Sequence, residues 1–349
     1  MSTHPARGYR LLVLACACLT FVVVVVGAYV RLSDAGLGCP DWPGCYGKLT
    51  PANAESHIQR AVEEQGGTHG PVSMPKAWKE MGHRYLAGTL GLLILAVAVL
   101  AWLRRKSLGQ PPWLATSIVA VVAIQATLGK WTVTMLLKPA IVTGHLAGGM
   151  TTLVLLAWLA MRQWLPNEGE GLPAIKALRS FAVVAFLILC AQVMLGGWVS
   201  TNYAALACPD LPLCRGEAVP AMDFANAFHV VRELGMAPDG GLLSSDALVA
   251  IHWTHRMFAL LVVAVLGTLA YRLARTGGVR VLGYMLLAAL AAQFLLGLAN
   301  VAFGLPLVLA AAHNAGAALL LVLLVVINYV TFHGLALNHR AVQVQPPRA

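Results

Sequence analysis

Charge is what this chain has little of. Only 11% of its 349 residues are Asp, Glu, Lys or Arg, and 14 of these are acidic. A soluble domain of that length needs far more charge on its surface, which excludes the soluble classes. A leader-type cleavage site is missing too. The first apolar run is too long for a signal-peptide core and continues into Val30-Arg31-Leu32-Ser33-Asp34 instead of a small-residue site, so it reads as a retained helix. Nor is there a basic patch away from the connections, despite a net charge of +10. Lys and Arg gather at Arg104, Arg105 and Lys106, at Arg162, Lys176 and Arg179, and at Arg272, Arg275 and Arg280, with Arg7, Arg10, Arg340 and Arg348 in the tails. That distribution marks topology and argues against a nucleic-acid partner.

What the chain does have is apolar length. It is 59% hydrophobic, with a mean hydropathy of +0.74, and a membrane helix needs roughly 20 apolar residues. Eight segments qualify, at about 11–30, 83–103, 113–133, 140–161, 180–200, 252–272, 280–303 and 306–332. The expected fold is an all-α membrane protein with eight transmembrane helices. All the basic connections then fall on one side, which the positive-inside rule assigns to the cytoplasm of a bacterial inner membrane, with both termini there. The long loops 31–79 and 201–250 face outward.

The two halves of the sequence superimpose. Cys208 follows Cys39 by 208 − 39 = 169 residues and Cys214 follows Cys45 by 214 − 45 = 169. Gln293 follows Gln125 by 293 − 125 = 168, and His313 follows His145 by 313 − 145 = 168. His255 follows His83 by 255 − 83 = 172, the offset a loop insertion makes. The repeat predicts two tandem four-helix bundles, residues 1–162 and 180–349, joined by a cytoplasmic linker over 163–179 that contains Pro166, Gly169, Gly171 and Pro173. An even helix count per unit makes the repeats parallel, related by an axis near the membrane normal. In the second loop, Asp223 to Leu234 reads as a short helix lying on the bilayer surface. His57, His69 and His229 in the loops read as solvated, and His4, His333 and His339 lie in or near the tails.

Each outer loop carries a cysteine pair, Cys39-Pro-Asp-Trp-Pro-Gly-Cys45 and Cys208-Pro-Asp-Leu-Pro-Leu-Cys214. An oxidising exterior and turn-forming residues between the sulfurs predict two local disulfides, the alternative being free thiols that recur through duplication. Cys16, Cys18 and Cys190 lie inside spans and read as small apolar residues.

Four histidines carry the chemistry. His83 and His145, then His255 and His313, each sit within about two turns of the outer end of their span, on helices that run in the same direction. Imidazoles at one depth on facing helices can supply two axial nitrogens to a haem iron. A hydrogen-bonded polar group between helices is the bland alternative for one such histidine, and four at matched depth argue against it. Zinc lacks a third and fourth ligand, Glu80 beside His83 excepted. Arginine follows histidine in His83-Arg84 and His255-Arg256, which suits a propionate, although a snorkelling arginine reads the same way. Arg31 and Lys76 are weaker candidates of the same kind, and Lys130 reads as snorkelling. The halves part at one position. Glu80-Met-Gly-His83 faces His252-Trp-Thr-His255, so Glu80 sits one turn above a candidate ligand where the second half has histidine. A carboxylate there is a candidate acid/base or cation-stabilising group; a helix-start glutamate favoured by the dipole is the plainer alternative.

The run from Gly27 through Arg31 to Cys45, together with Glu80-Met-Gly-His83-Arg84, Gln125-Ala-Thr-Leu-Gly, Gly144-His145, Ile251-His252-Trp-Thr-His255-Arg256 and His313-Asn314, resembles the haem A synthase family over essentially the whole chain. The resemblance implies oxidation of the C8 methyl of haem O to a formyl group, giving haem A for a terminal cytochrome oxidase. It implies that His255 and His313 ligate a permanent haem B, that His83 and His145 bracket the substrate haem O, and that Glu80 is the catalytic carboxylate. It further implies a haem O synthase as supplier and an electron-transfer partner, with a structural or redox role for the cysteine pairs left open. Two rivals share features with it: a diheme b-type cytochrome that only carries electrons, and a transporter built on parallel repeats.

Overall fold

The computed structural model describes residues 4–165 and 171–337, with side chains from residue 7 onward. Arg340, Arg348 and His339 in the tail, and Pro166 and Gly169 in the linker, lie outside the described residues. Eight helices are long and apolar enough to cross a membrane. We label them α1 (His4–Leu32), α2 (Met74–Leu103), α3 (Trp113–Thr134), α4 (Pro139–Trp164), α5 (Arg179–Thr201), α6 (Ser245–Arg275), α7 (Arg280–Ala302) and α8 (Leu307–His333). Their outward sides are apolar and exposed, as at Leu92, Leu95, Leu187 and Leu295, because hydrocarbon, unlike water, imposes no cost on them.

Three helices begin well before hydropathy predicts: α1 at His4 and, on the loop side, two more. α2 starts at Met74 and α6 at Ser245, not at 83 and 252. Both starts are built by caps: the side chain of Ser73 accepts from Lys76 N–H, and that of Ser244 from Ala247 N–H. At about 1.5 Å per residue, the 30 residues of α2 run to about 45 Å against a hydrocarbon core of about 30 Å. The helix therefore extends past the apolar core, and its polar first turns were invisible to a search for apolar runs. His83 and His255 sit nine and ten residues into their helices, between two and three turns down, while His145 and His313 are each six residues in.

The eight helices form two closed rings. In the first, α1 meets α2, α2 meets α3, α3 meets α4 and α4 returns to α1; the second repeats this with α5 to α8. Across the junction α1 packs on α8 and α5 on α4, with α4 and α8 touching at the centre, the pattern a two-fold axis generates. The repeat offset appears at the axis itself. Arg31 donates to Ser200 O at 2.7 Å and Tyr203 Oη to Asp34 Oδ1 at 2.8 Å. In both pairs the partners are 169 residues apart and are thus each other's repeat equivalents. Burial pushes the Tyr203 pKa up, which keeps its hydroxyl a donor to Asp34.

The two loops repeat one another as well. The disulfides Cys39–Cys45 and Cys208–Cys214 are both formed, each closing a turn pinned by an isolated bridge, Cys45 with Lys48 and Cys214 with Glu217. Asp41 accepts from Tyr46 N–H and Gly47 N–H; Asp210 does the same for Arg215 and Gly216. Those bonds, the Gly216 N–H foremost, hold the Asp210 carboxyl below the usual carboxylate range. The surface helix expected over Asp223 to Leu234 is a correction: only Phe224–Ala227 is helical. Arg232 is the reason. It is buried and donates to His229 O, Met236 O and Asn202 Oδ1, gathering the following backbone into a compact turn. The first loop instead contains an unanticipated amphipathic helix, Glu55–Glu64, whose Ile58 is buried against the disulfide. His57 there is not simply solvated, because its ring stacks on Tyr46 with centroids 6.1 Å apart.

Candidate functional site

A single cavity of about 1560 Å³ runs through both rings beneath the two loops. This exceeds the roughly 300–1,000 Å³ of a typical one-ligand pocket. His83 and His145 line it in the first half, His255 and His313 in the second. The sequence reading treated the two sites as separate; the structure makes their space continuous.

Each imidazole is seated in the same way. A methyl group built on Gly27 of α1 would come within 2.9 Å of His83 Cε1, and one on Gly129 of α3 within 3.2 Å of His145 Cε1. The second half matches, with Gly196 of α5 at 3.1 Å from His255 and Gly297 of α7 at 3.2 Å from His313. At these four places glycine is required by close approach rather than by backbone conformation, since any side chain would push the ring into the cavity. The sequence held a signal for this seating that went unused, because the glycines recur at the repeat offset (196 − 27 = 169; 297 − 129 = 168).

Glutamine amides brace the histidine backbone. Gln125 Nε2 donates to His145 O at 3.0 Å and Gln293 Nε2 to His313 O at 2.9 Å. Gln192 Nε2 donates to His255 O at 3.2 Å, whereas the repeat equivalent of Gln192 is Val23. The histidine Nδ1 atoms have no hydrogen-bond partner among the described residues in any of the four cases. Buried polar atoms of native proteins are nearly always paired, so four unpartnered Nδ1 atoms around one cavity, each ring clamped by a glycine, fit a macrocycle whose metal accepts nitrogen. The Nε2 atoms of His255 and His313 lie 3.5 and 3.4 Å from the amide nitrogens of Gln192 and Gln293. Among the described residues, no three His, Cys, Asp or Glu side chains group as a closed metal site would need.

Glu80 is 4% exposed and lines the cavity one turn above His83. One carboxylate oxygen accepts from Cys39 N–H at 2.8 Å and the other is ion-paired with Arg84. Its counterpart His252, equally buried, accepts the matching bond from Cys208 N–H at Nδ1, at 3.2 Å. The loop cysteines thus reach the site through the backbone. The three arginines singled out for propionates also line the cavity, and each already has protein partners. Arg84 donates to Asp41 O at 2.7 Å and to Cys39 O at 3.2 Å, and Arg256 to Asp210 O at 3.1 Å and Pro212 O at 2.9 Å. Arg31 stacks over the Tyr203 ring at 4.2 Å, while its Nε stays buried and unpartnered among the described residues. Lys76 lies outside the cavity wall and donates to Gly70 O at 2.9 Å. Lys130 is exposed on α3.

The chain is similar to proteins of known family over nearly all its length. The family model described as cytochrome oxidase assembly protein, COX15-CtaA, matches residues 10–325. A protein named heme A synthase from Shewanella oneidensis is 41% identical over 317 residues, covering 90% of this chain and 94% of that protein. Heme A synthases of Novosphingobium aromaticivorans (30% identical, 92% and 96% covered) and of Caulobacter sp. (26%, 92% and 95%) are similar along the same span. With this coverage and that repeated, histidine-lined cavity, the chain belongs to the COX15-CtaA family of cytochrome oxidase assembly proteins.

Proposed function

We propose that this protein is a haem A synthase of a bacterial inner membrane, oxidising the C8 methyl of haem O to the formyl group of haem A. The observation that carries the reading is the paired seating of four imidazoles against four glycines around one cavity, joined to 41% identity with a heme A synthase. His83 and His145 hold the substrate haem O. His255 and His313 hold a resident haem B, which when bound supplies reversible one-electron chemistry beside the substrate. Arg31, Arg84 and Arg256, which line the cavity, would hold the propionates. The one-sided basic connections support a periplasmic loop side and cytoplasmic termini.

Methyl to formyl is a four-electron oxidation, taken here as two two-electron steps through a hydroxymethyl group and then a hydrated aldehyde that loses water. The added oxygen comes either from water, in which case four electrons leave to an external redox partner, or from dioxygen, in which case that partner supplies the electrons that reduce the second oxygen atom to water. Among the described residues, Glu80 is the only acidic side chain on the cavity wall within a turn of a histidine. It takes up the protons released at the methyl carbon or stabilises cationic charge that develops there, and Arg84 and Cys39 N–H fix its orientation. A haem O synthase supplies the substrate. The test is pigment analysis of the purified protein, expressed with and without a haem O synthase. Haem A should appear only with that partner, alongside haem B in both samples. A preparation that holds two haems B and makes no haem A would make it an electron carrier instead.

A further inference from the structure

The two rings differ in how tightly the second and third helices of each unit close. α2 and α3 meet less closely than their counterparts α6 and α7. Along the α2–α3 seam, Tyr85, Gly88, Thr89 and Ala126 line the cavity and are exposed, as are Met257, Leu260 and Phe294 at the matching seam of the second half; the two seams differ in side-chain bulk. A side chain built on Gly88 would meet nothing within 4 Å. In the second half the equivalent of Gly88 is Leu260 (260 − 88 = 172) and that of Ala126 is Phe294 (294 − 126 = 168). Both of those large side chains line the cavity at the same seam. Gly88 is five residues below His83 and Ala126 three below Gly129, about 7 Å and 4 Å down the helix axes. The small residues therefore lie at, or just below, the level of the first histidine pair.

We infer that the α2–α3 seam is a lateral portal from the bilayer to His83 and His145, kept open by Gly88 and Ala126, and that Leu260 and Phe294 plug the matching seam of the second half. The inference rests on the proposed function, and its occupant is the macrocycle of haem O with its long isoprenoid tail. Each buried CH₂ of such a tail is worth about 0.8 kcal/mol in hydrocarbon, so a route that keeps the tail in lipid avoids exposing it to water. A path through the loop side would bring the tail past the aqueous loops. Trp42, Pro43, Gly44 and Leu49 roof the cavity there, the disulfide pins that loop, and Tyr85 Oη donates to Leu49 O at the top of the seam. A substrate must come and go in the first half. A resident haem in the second must stay, and side-chain bulk at one seam separates the two cases.

The experiment uses the purified full chain carrying its resident pigment. Haem O is delivered from liposomes, and uptake is followed by the change in the Soret band. In a Gly88→Leu/Ala126→Phe variant, uptake should be at least about tenfold slower, with the second-half spectrum unchanged. Ile124→Phe, which adds bulk on a 60% exposed position of α3 off the cavity wall, should load like wild type. The reciprocal Leu260→Gly/Phe294→Ala variant should lose its resident haem faster to apomyoglobin. Uptake by Gly88→Leu/Ala126→Phe at the wild-type rate, or a lower final extent at that rate, overturns the portal. Wild-type protein that loads haem O and makes no haem A overturns the proposed function and leaves the portal standing; wild type that never loads overturns both.

Discussion

One helical turn above the first histidine of each half, the first half carries Glu80 and the second His252, and both accept a hydrogen bond from the same place, the backbone N–H of the first loop cysteine. The frame is conserved within the molecule while the chemistry at its centre is exchanged. The surroundings differ in the same sense. Val23 and Leu146 of the first half correspond to Gln192 and Asn314 of the second, and Gly88 and Ala126 to Leu260 and Phe294. The second half is braced, polar and filled around its histidines; the first is looser, smoother and has a carboxylate. Duplication gave two like seats that a few side chains now make different, and the proposed function assigns that difference to holding a group in one half and working on one in the other.

Histidine replacement should break the comparison most sharply. His255→Ala or His313→Ala should abolish the resident pigment and with it all conversion, measured by haem extraction and the Soret band. His83→Ala or His145→Ala should leave the resident haem B and remove only haem O conversion. Equal pigment loss from both pairs would mean that the halves are functionally equivalent.

Exchange at the carboxylate comes next. Glu80→Gln keeps the shape and the bond from Cys39 while removing the charge, so haem O uptake should persist as conversion falls by roughly 10²–10⁴-fold. Glu80→Ala is the harsher change. Arg84 loses a partner at a site where the pair is 12% and 5% exposed, and breaking such a buried pair costs about 3–5 kcal/mol, visible as a lowered melting temperature. Glu80→Gln with unaltered turnover would remove the residue from the chemistry.

The glycine seats should respond alike in both halves. Gly129→Val and Gly297→Val would bring even their Cβ within 3.2 Å of the histidine ring, a strain of about 1–3 kcal/mol. Each should weaken haem retention in its own half alone, as titration of the two spectral components would reveal. The smallest effect belongs to the amide brace. Gln192→Leu removes one hydrogen bond to His255 O, worth about 1 kcal/mol, and Val23→Gln should give His83 the brace it lacks. A detectably firmer first-half site in Val23→Gln, read as slower haem loss, would sharpen the idea that looseness there is selected.

Some of the site was legible residue by residue. His83, His145, His255 and His313 stand out because an ionisable side chain inside an apolar run is rare, and the 168- and 169-residue offsets of cysteine, glutamine and histidine expose the duplication. Glu80 was visible as the position in the histidine motif where an ionisable side chain of one half is exchanged for a different one in the other. The helix starts at Met74 and Ser245 were not visible, because caps and polar turns outside the hydrocarbon leave no trace in hydropathy. The fate of Arg232 was also hidden: a buried arginine satisfied by three oxygens from His229, Met236 and Asn202 depends on backbone returning from elsewhere in the loop.

By itself, the sequence determined that the chain spans a membrane eight times, that its halves are parallel copies, and that each copy presents two histidines at one depth. Apolar length, charge placement and repeat offset are local or arithmetic properties, readable without a fold. Only the tertiary structure decided that the two sites share one cavity, that Arg31 meets its own repeat equivalent Ser200 across the axis, and that glycines of neighbouring helices form the histidine seats. These depend on which helix faces lie opposite one another, and that is settled by side-chain volumes meeting across gaps between segments far apart in the chain.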